Sequence, residues 1–159
     1  MRGIVLLVAL AACSRGRRDA PEPDPPPPWR EIEFEECGFA VMAPGEPVAI
    51  GLQLTCYPFP PQAAVIDPAQ AFEIGVSAIR ARVDNHGDTA AVPLRKPTTI
   101  AGYPALGLRF AMDGGRATVG VLVLVDRRLG MIWAVIDPAR ADGLDEADLG
   151  RVIASFAPR

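Results

Sequence analysis

The chain is poor in the residues on which most enzymatic chemistry relies. Its 159 residues include one histidine, three cysteines and a single lysine, Lys96. Basic residues number 16 and acidic residues 19, which gives a net charge of −3. An acidic chain without a basic stripe lacks the electrostatic footprint of a nucleic-acid-binding protein. The apolar run Ile4–Ala12 has nine residues, whereas a membrane-spanning helix needs ~20.

No catalytic constellation is visible in the sequence. His86 is the one candidate general base, and it lies in the predicted turn Asp84–Asp88. Polar residues are common in turns because they adopt the required backbone conformations, so this position does not indicate catalysis. Ser77 and Ser155 fall in predicted helices, and neither a Gly-x-Ser-x-Gly elbow nor a phosphate-binding loop occurs. We therefore expect a protein that is not an enzyme, with no catalytic residue and no cofactor.

The acidic residues do not predict a metal site. Glu31 and Glu33 lie on one face of a predicted strand, where side chains point the same way and do not enclose an ion. A calcium ion needs ~6–8 oxygen ligands arranged around it. Asp145, Glu146 and Asp148 suit the first turn of a helix, where acidic groups complement the helix dipole. We expect no bound metal.

The N-terminus has the features of an export signal. Arg2 precedes the apolar run, and small residues lead to a cysteine in Leu10-Ala11-Ala12-Cys13. These four residues resemble a bacterial lipobox. The resemblance implies that residues 1–12 are a signal peptide, that cleavage exposes Cys13, and that Cys13 carries the lipid. An ordinary cleaved signal is the alternative. In many Gram-negative lipoproteins, a residue other than aspartate after the lipidated cysteine goes with sorting to the outer membrane. Because Ser14 stands at that position, the resemblance implies attachment to the bacterial envelope at the outer membrane.

A proline-rich tether follows the lipid site. Six of the seventeen residues 14–30 are proline, and no apolar periodicity is present. This composition favours extended polyproline geometry and cannot bury a core. We expect residues 13–30 to act as a spacer between the lipid and a single domain over residues 31–159. The alternative is a docking motif for proline-binding domains.

The two remaining cysteines, Cys37 and Cys56, are predicted to form a disulfide. An exported protein meets an oxidising compartment, and an even number of cysteines remains after Cys13 is assigned to lipid. A hairpin or broad turn near Gly45–Pro47 would bring them opposite each other. Two separate buried thiols remain the alternative.

Hydrophobic periodicity predicts two helices. Asp67 suits an N-cap and Pro68 the first helical position. One apolar stripe then runs along the helix: Ala69, Phe72, Val76, Ile79 and Val83. A second helix begins after Asp145, and its stripe contains Leu149, Val152, Ile153 and Phe156.

Alternating or continuous apolar residues predict the strands. Ile32 and Phe34 alternate with glutamates, which indicates a half-buried strand. The other candidates are 39–42, 48–57, 90–95, 98–100, 105–112, 117–125 and 129–136. Residues 119–125 are almost all apolar, as in a central strand covered on both faces. The order, close to β-β-β-α-β-β-β-β-α, predicts an α+β fold.

Three stretches resemble the PsbP-like family, including its DcrB-type bacterial lipoproteins. They are Phe39–Pro47, with its Pro-Gly-x-Pro turn, Thr98–Ala105, with an I-x-G-x-P-A pattern, and the closing Ala154-Ser155-Phe156. The resemblance implies an α/β/α sandwich in which an antiparallel sheet of about six strands is flanked by two helices. It also implies a non-catalytic assembly factor or adaptor, and it supplies no catalytic residues.

Three aromatic residues are candidates for contact with a partner: Trp29, Tyr57 and Phe59. Interface cores favour such residues, although each could instead pack on the domain. Our leading hypothesis is a membrane-anchored adaptor that binds another envelope protein. The alternative is a carrier that holds an apolar small ligand between the helix at Asp67–Val83 and the sheet.

Overall fold

The computed structural model describes residues 28–47, 50–60, 65–84, 92–140 and 143–159. The predicted signal peptide, Cys13, most of the tether and the turn that contains His86 lie outside the described residues. Within these residues, no helix is both long enough and apolar enough to cross a membrane.

Eight strands and two helices make up the described part of the chain. The helices are α1 (Pro68–Asp84) and α2 (Glu146–Ala154). The strands are β1 (Trp29–Phe34), β2 (Phe39–Pro44), β3 (Leu52–Pro58), β4 (Leu94–Ile100), β5 (Tyr103–Ala111), β6 (Ala117–Val125), β7 (Arg128–Ile136) and β8 (Ala157–Pro158). A 3₁₀ turn, Glu35–Cys37, joins β1 to β2.

The strands form two antiparallel sheets, and the predicted α+β class is confirmed. Five strands lie in the order β3-β7-β6-β5-β4, and the smaller sheet has the order β1-β2-β8. The sequence predicted one sheet of about six strands, so the division into two sheets was missed. Phe39 of the small sheet lies against Gly130 of β7 in the large sheet, and a Cβ placed on Gly130 would lie 2.7 Å from the ring. The β1–β2 hairpin therefore packs on the face of the large sheet.

Both faces of the five-stranded sheet are covered. α1 packs on one face, where Val76, Ile79 and Val83 meet Phe110 and Leu122. The small sheet and α2 cover the other face. The residues buried in this layer include Phe39, Val41, Leu149, Val152 and Phe156. β6, the middle strand, is buried along most of its length, as its continuous apolar sequence predicted.

Two local predictions need correction. Residues 98–100 do not form a strand of their own, because β4 runs unbroken from Leu94 to Ile100 through Pro97. Proline is tolerated there because β4 is an edge strand with only β5 as its neighbour. In α1, Ala69 is exposed, whereas Ala71 and Gly75 are buried, so the buried stripe is shifted at its N-terminal end.

Caps and side-chain bonds fix the two helices. Oδ1 of Asp67 accepts a hydrogen bond from the backbone N–H of Ala69 at 3.1 Å. Oδ1 of Asp145 accepts one from the N–H of Asp148 at 2.7 Å, as the N-cap prediction required. At the end of α2, Oγ of Ser155 accepts from the N–H of Met42 at 2.7 Å, which joins α2 to β2.

An ion pair joins the edge strand β4 to α1. The guanidinium group of Arg95 binds the carboxylate of Glu73 through both terminal nitrogens. This hydrogen bonding lowers the pKa of Glu73 and raises that of Arg95. Both groups lie at the surface, where such pairs contribute little to stability because water and salt screen them. We therefore expect the pair to add little to the stability of the domain.

Gly75 marks the closest approach of α1 to the sheet. A Cβ placed there would lie 2.7 Å from Cδ1 of Leu122 and 3.0 Å from Cδ2 of Leu129. Both leucines are fully buried, so they have little space into which to move. An added methyl group would therefore push the helix away from the sheet.

We predict opposite effects of one substitution at two helical glycines. Gly75→Ala gains about 1 kcal/mol in helix propensity, but overpacking costs about 1–3 kcal/mol, so we expect a net loss of stability. Gly150→Ala is the matched control, because a Cβ on Gly150 in α2 meets nothing within 4 Å. We expect that control to stabilise the protein by up to about 1 kcal/mol. Urea unfolding measures both, and stabilisation by both substitutions would contradict the tight packing of α1.

Candidate functional site

The disulfide connects the two sheets. Cys37 and Cys56 are bonded, with their Cα atoms 5.5 Å apart, which fits the pairing expected from the cysteine count. Cys37 lies in the 3₁₀ turn after β1 and is buried, whereas Cys56 lies on the edge strand β3. Between the two cysteines lie β2, which belongs to the small sheet, and most of β3, which belongs to the large sheet.

Tyr57 and Phe59 form an aromatic pair beside the disulfide. The Tyr57 side chain is 43% exposed, and its ring meets Phe59 edge-on with the centroids 5.2 Å apart. Phe59 is half-buried against the core beneath α1, and its N–H donates to the carbonyl oxygen of Arg127 at 2.8 Å. The fold therefore fixes Phe59, and Phe59 supports an exposed Tyr57.

Trp29 is placed differently from the other two aromatics. It is half-buried at the start of β1, and the guanidinium carbon of Arg151 lies 4.0 Å from its ring centroid. Trp29 lies at the first residue of β1, opposite Pro44 of β2. The disulfide lies beyond the other end of β1, because Phe34 leads into the turn that carries Cys37. Five residues of extended chain span ~17 Å. The structure therefore brings Tyr57 and Phe59 together but leaves Trp29 at the far end of the small sheet.

The glutamates of β1 take part in ion pairs at the protein surface. Arg159 contacts Glu31 at 2.5 Å and Glu33 at 3.8 Å. Across the described ranges, no group of three or more histidine, cysteine, aspartate or glutamate side chains could hold a metal ion. We therefore assign these glutamates to the packing of the C-terminus beside β1.

A cleft of about 660 Å³ opens where the last turn of α1 crosses the end of the large sheet. Its apolar lining consists of Ile50, Val83, Met112, Trp133 and Val135. Its polar side chains are Gln53, Arg82, Arg116, Asp137 and Arg140. This volume lies within the ~300–1,000 Å³ typical of ligand sites.

The cleft lies at one end of the interface between α1 and the sheet, where the sequence analysis placed a ligand. We expected a cavity between α1 and the sheet, but Val76 and Ile79 fill the middle of that interface together with Phe110 and Leu122. The opening lies at the C-terminal end of α1, beside Arg82 and Val83. No sequence signal identified it, because its lining residues come from segments as far apart as Ile50 and Gly143.

The two packed layers around the five-stranded sheet define a PsbP-like α+β fold. The solution structure of CyanoP, the cyanobacterial PsbP of Synechocystis sp. PCC 6803, superposes with a TM-score of 0.59 at 13% sequence identity. The match covers 82% of this chain and 92% of CyanoP. At this identity the likeness shows the fold alone. The chain matches no family model and no curated protein sequence.

Proposed function

We propose that this protein is a non-catalytic adaptor, held at the bacterial outer membrane by a lipid on Cys13, that binds another envelope protein. The PsbP-like fold supports a binding domain, and the lipobox-like residues Leu10–Cys13 and the proline-rich tether support attachment to an envelope membrane. One observation carries the proposal: Tyr57 is 43% exposed, yet Phe59 holds its ring in place.

A supported aromatic side chain suits a contact surface for two reasons. Tyrosine provides a large apolar area together with a hydroxyl that can hydrogen-bond to a partner. Because Phe59 already restricts the ring, binding costs less conformational entropy than ordering a freely rotating side chain. We infer a partner that offers an apolar pocket for the Tyr57 ring, with a hydrogen-bonding group at its base.

Site-specific photocrosslinking in cells tests this surface. With p-benzoylphenylalanine in place of Tyr57, we expect one discrete adduct with another envelope protein. Lys96, exposed on the opposite edge strand β4, is the matched control position. The Tyr57 adduct should also form when Cys13→Ala removes the lipid site, because the lipid sets only the location. Equal adducts from both positions, or none from position 57, would contradict the proposal.

The second candidate function is a ligand carrier, and the 660 Å³ cleft favours it. Gln53 of the cleft and Tyr57 are four residues apart on β3, a separation of ~13 Å along a strand. The carrier function would therefore use a site distinct from the aromatic pair, and the two functions can be tested separately.

A further inference from the structure

The edges of the two sheets differ in how they are protected against pairing with another chain. An edge strand exposes backbone N–H and C=O groups, and charged residues, proline or a short strand usually prevent such pairing. In the described part of the chain, β4 carries Arg95, Lys96 and Pro97, β1 alternates charged with apolar residues, and β8 has only two residues. β3 has no charged residue, and its proline is its last residue. The outer edge of β3 is therefore the least protected of the four.

The ladder between β3 and β7 determines which backbone groups of β3 face outward. The N–H of Phe59 donates to the carbonyl oxygen of Arg127 at 2.8 Å, which continues the register of this ladder by one residue. Because residues of an antiparallel pair bond alternately toward and away from each other, the odd-numbered residues of β3 bond to β7. The even-numbered residues point their N–H and C=O groups to the outer edge. Leu52 agrees with this assignment, since its N–H donates to the carbonyl oxygen of Pro47 at 2.8 Å, outside the ladder.

The outward N–H groups of Leu54 and Cys56 have no hydrogen-bond partner among the described residues. β7 is the only strand beside β3 in the described sheet. The 3₁₀ turn that carries Cys37 contacts both β3 and β7, so it lies over the face of the sheet and not beside its edge. The two N–H groups are two residues apart along β3, a distance of ~6.6 Å. This spacing matches the backbone acceptors of another extended strand.

The side chains beside this edge indicate what an added strand would carry. On the face toward α1, Oγ1 of Thr55 lies 3.3 Å from Nη1 of Arg82, and no carboxylate among the described residues pairs with that guanidinium group. Tyr57 lies two residues further along the same face of β3, and it is exposed. An added strand would therefore present an acidic residue to Arg82 and, two positions away, an apolar residue to the Tyr57 ring.

We propose that an extended segment of the partner protein adds to the outer edge of β3 as a sixth strand of the large sheet. Its backbone bonds to Leu54 and Cys56, an acidic side chain pairs with Arg82, and an apolar side chain lies beside Tyr57. This inference rests on the proposed adaptor function and specifies how the partner is recognised, with main-chain bonds for affinity and alternate side chains for specificity. A second copy of this chain fits less well, because two β3 edges paired at their centres would bring the two Arg82 groups together.

Crosslink mapping in cells tests strand addition directly. In the full chain, p-benzoylphenylalanine replaces Gln53, Thr55 or Tyr57, one position at a time, and mass spectrometry locates the attachment site on the captured protein. We expect all three positions to capture one segment of one protein. The attachment sites should advance by about two residues from each position to the next, because paired strands share a two-residue period. Lys96 on the opposite edge is the control position and should not capture that segment.

Removal of one outward N–H tests the backbone bonds. Leu54→Pro deletes a donor that the β3–β7 ladder does not use, and an edge strand tolerates proline at such a position. We expect it to lower the yield of the adduct from position 57 by about tenfold, because the partner's carbonyl group is left unpaired. Thr99→Pro is the matched control, because the two-residue turn after Ile100 directs the N–H of Thr99 to the outer edge of β4. That control should retain the yield within about twofold.

Charge reversal tests the acidic side chain of the added strand. Arg82→Glu should lower the yield of the same adduct by about tenfold, because attraction to a carboxylate becomes repulsion. Arg80→Glu makes the same change at another exposed residue of α1, and it should leave the yield within about twofold. Thermal unfolding checks that each variant folds. If Leu54→Pro does not fold, the crosslink map of the parent chain decides.

Strand addition and the adaptor function fail on different results. Strand addition is overturned if position 57 captures a partner but positions 53 and 55 do not continue along the same segment, or if a folded Leu54→Pro variant keeps the full yield. The adaptor function would survive either result. Adducts between two copies of this chain would show self-pairing and would also overturn the proposal. Absence of any adduct from position 57 would contradict the adaptor function itself, and strand addition with it.

Discussion

Replacing Phe39 with alanine is expected to lower the free energy of unfolding by about 3–5 kcal/mol, the usual cost of removing a buried phenylalanine. Phe39 is fully buried, and its ring packs against Phe34 and Phe156 with centroids 5.6 and 5.0 Å away. These contacts join β1, β2 and the end of α2 into one layer, and the contact of Phe39 with Gly130 of β7 places that layer on the large sheet. Urea denaturation measures the effect, and the half-buried Phe72 provides a control in which Phe72→Ala should cost less.

The contact between Phe39 and Gly130 can be isolated with a double-mutant cycle. Gly130→Ala alone should destabilise the protein by about 1–3 kcal/mol, because its Cβ would enter the Phe39 ring. Phe39→Leu makes room for that methyl group, so the double variant should cost about 0.5–3 kcal/mol less than the sum of the single variants. Additive costs would show that the small sheet does not rest on Gly130.

Loss of the disulfide is expected to destabilise the protein by about 3 kcal/mol, the chain-entropy value for a loop of this length. Cys37 and Cys56 are separated by 19 positions and connect the two sheets. The bond therefore reduces the number of conformations available to the unfolded chain, and in the folded protein it holds β3 beside the 3₁₀ turn. Urea unfolding of the Cys37→Ser, Cys56→Ser double variant measures the loss.

The reduced parent protein is the control for this variant. A thiol reductant should lower the stability of the parent chain by a similar amount and leave the double variant unchanged. Two titratable thiols at positions 37 and 56 in the native, air-oxidised protein would contradict the bond. Because Tyr57 follows Cys56 directly, we also expect the reduced protein to form less of the Tyr57 photocrosslink.

Tyr57 and Trp133 differ in how far each is buried: Tyr57 is exposed, whereas Trp133 belongs to the core. Phe59 and Cys56 fix the position of Tyr57, and the sheet fixes Trp133 across from Gly120. The three cleft arginines come from separate segments around that tryptophan. We therefore expect substitutions at Tyr57 to change partner binding without loss of stability. Substitutions at Trp133 would disturb both the core and the cleft.

Hydrophobic periodicity predicted which face of a single strand or helix is buried, because that depends on the residue spacing within the element itself. In the predicted strand 105–112, Leu106, Leu108 and Phe110 alternate with other residues, which indicates one buried face. All three are buried in β5. The stripe in α1 was also correct, except at Ala69, because helix spacing alone determines which side chains share a face. A strand's own pattern does not specify its sheet partners, so the separation of β1, β2 and β8 from the large sheet was not predicted.

The sequence by itself determined the α+β class and the two helices, since propensity and periodicity act over short stretches. It predicted the pairing of Cys37 with Cys56 but left two separate thiols as an alternative, and the tertiary structure decided for the bond. The sequence also named Tyr57 and Phe59 as candidates for contact with a partner. Only the tertiary structure decided that Trp29 packs far from them and that Arg82, Arg116 and Arg140 share one cleft with Trp133. Which of these residues lie close together depends on how the sheets and α1 pack. Packing brings together residues that are far apart in the chain, and local sequence periodicity does not predict such contacts.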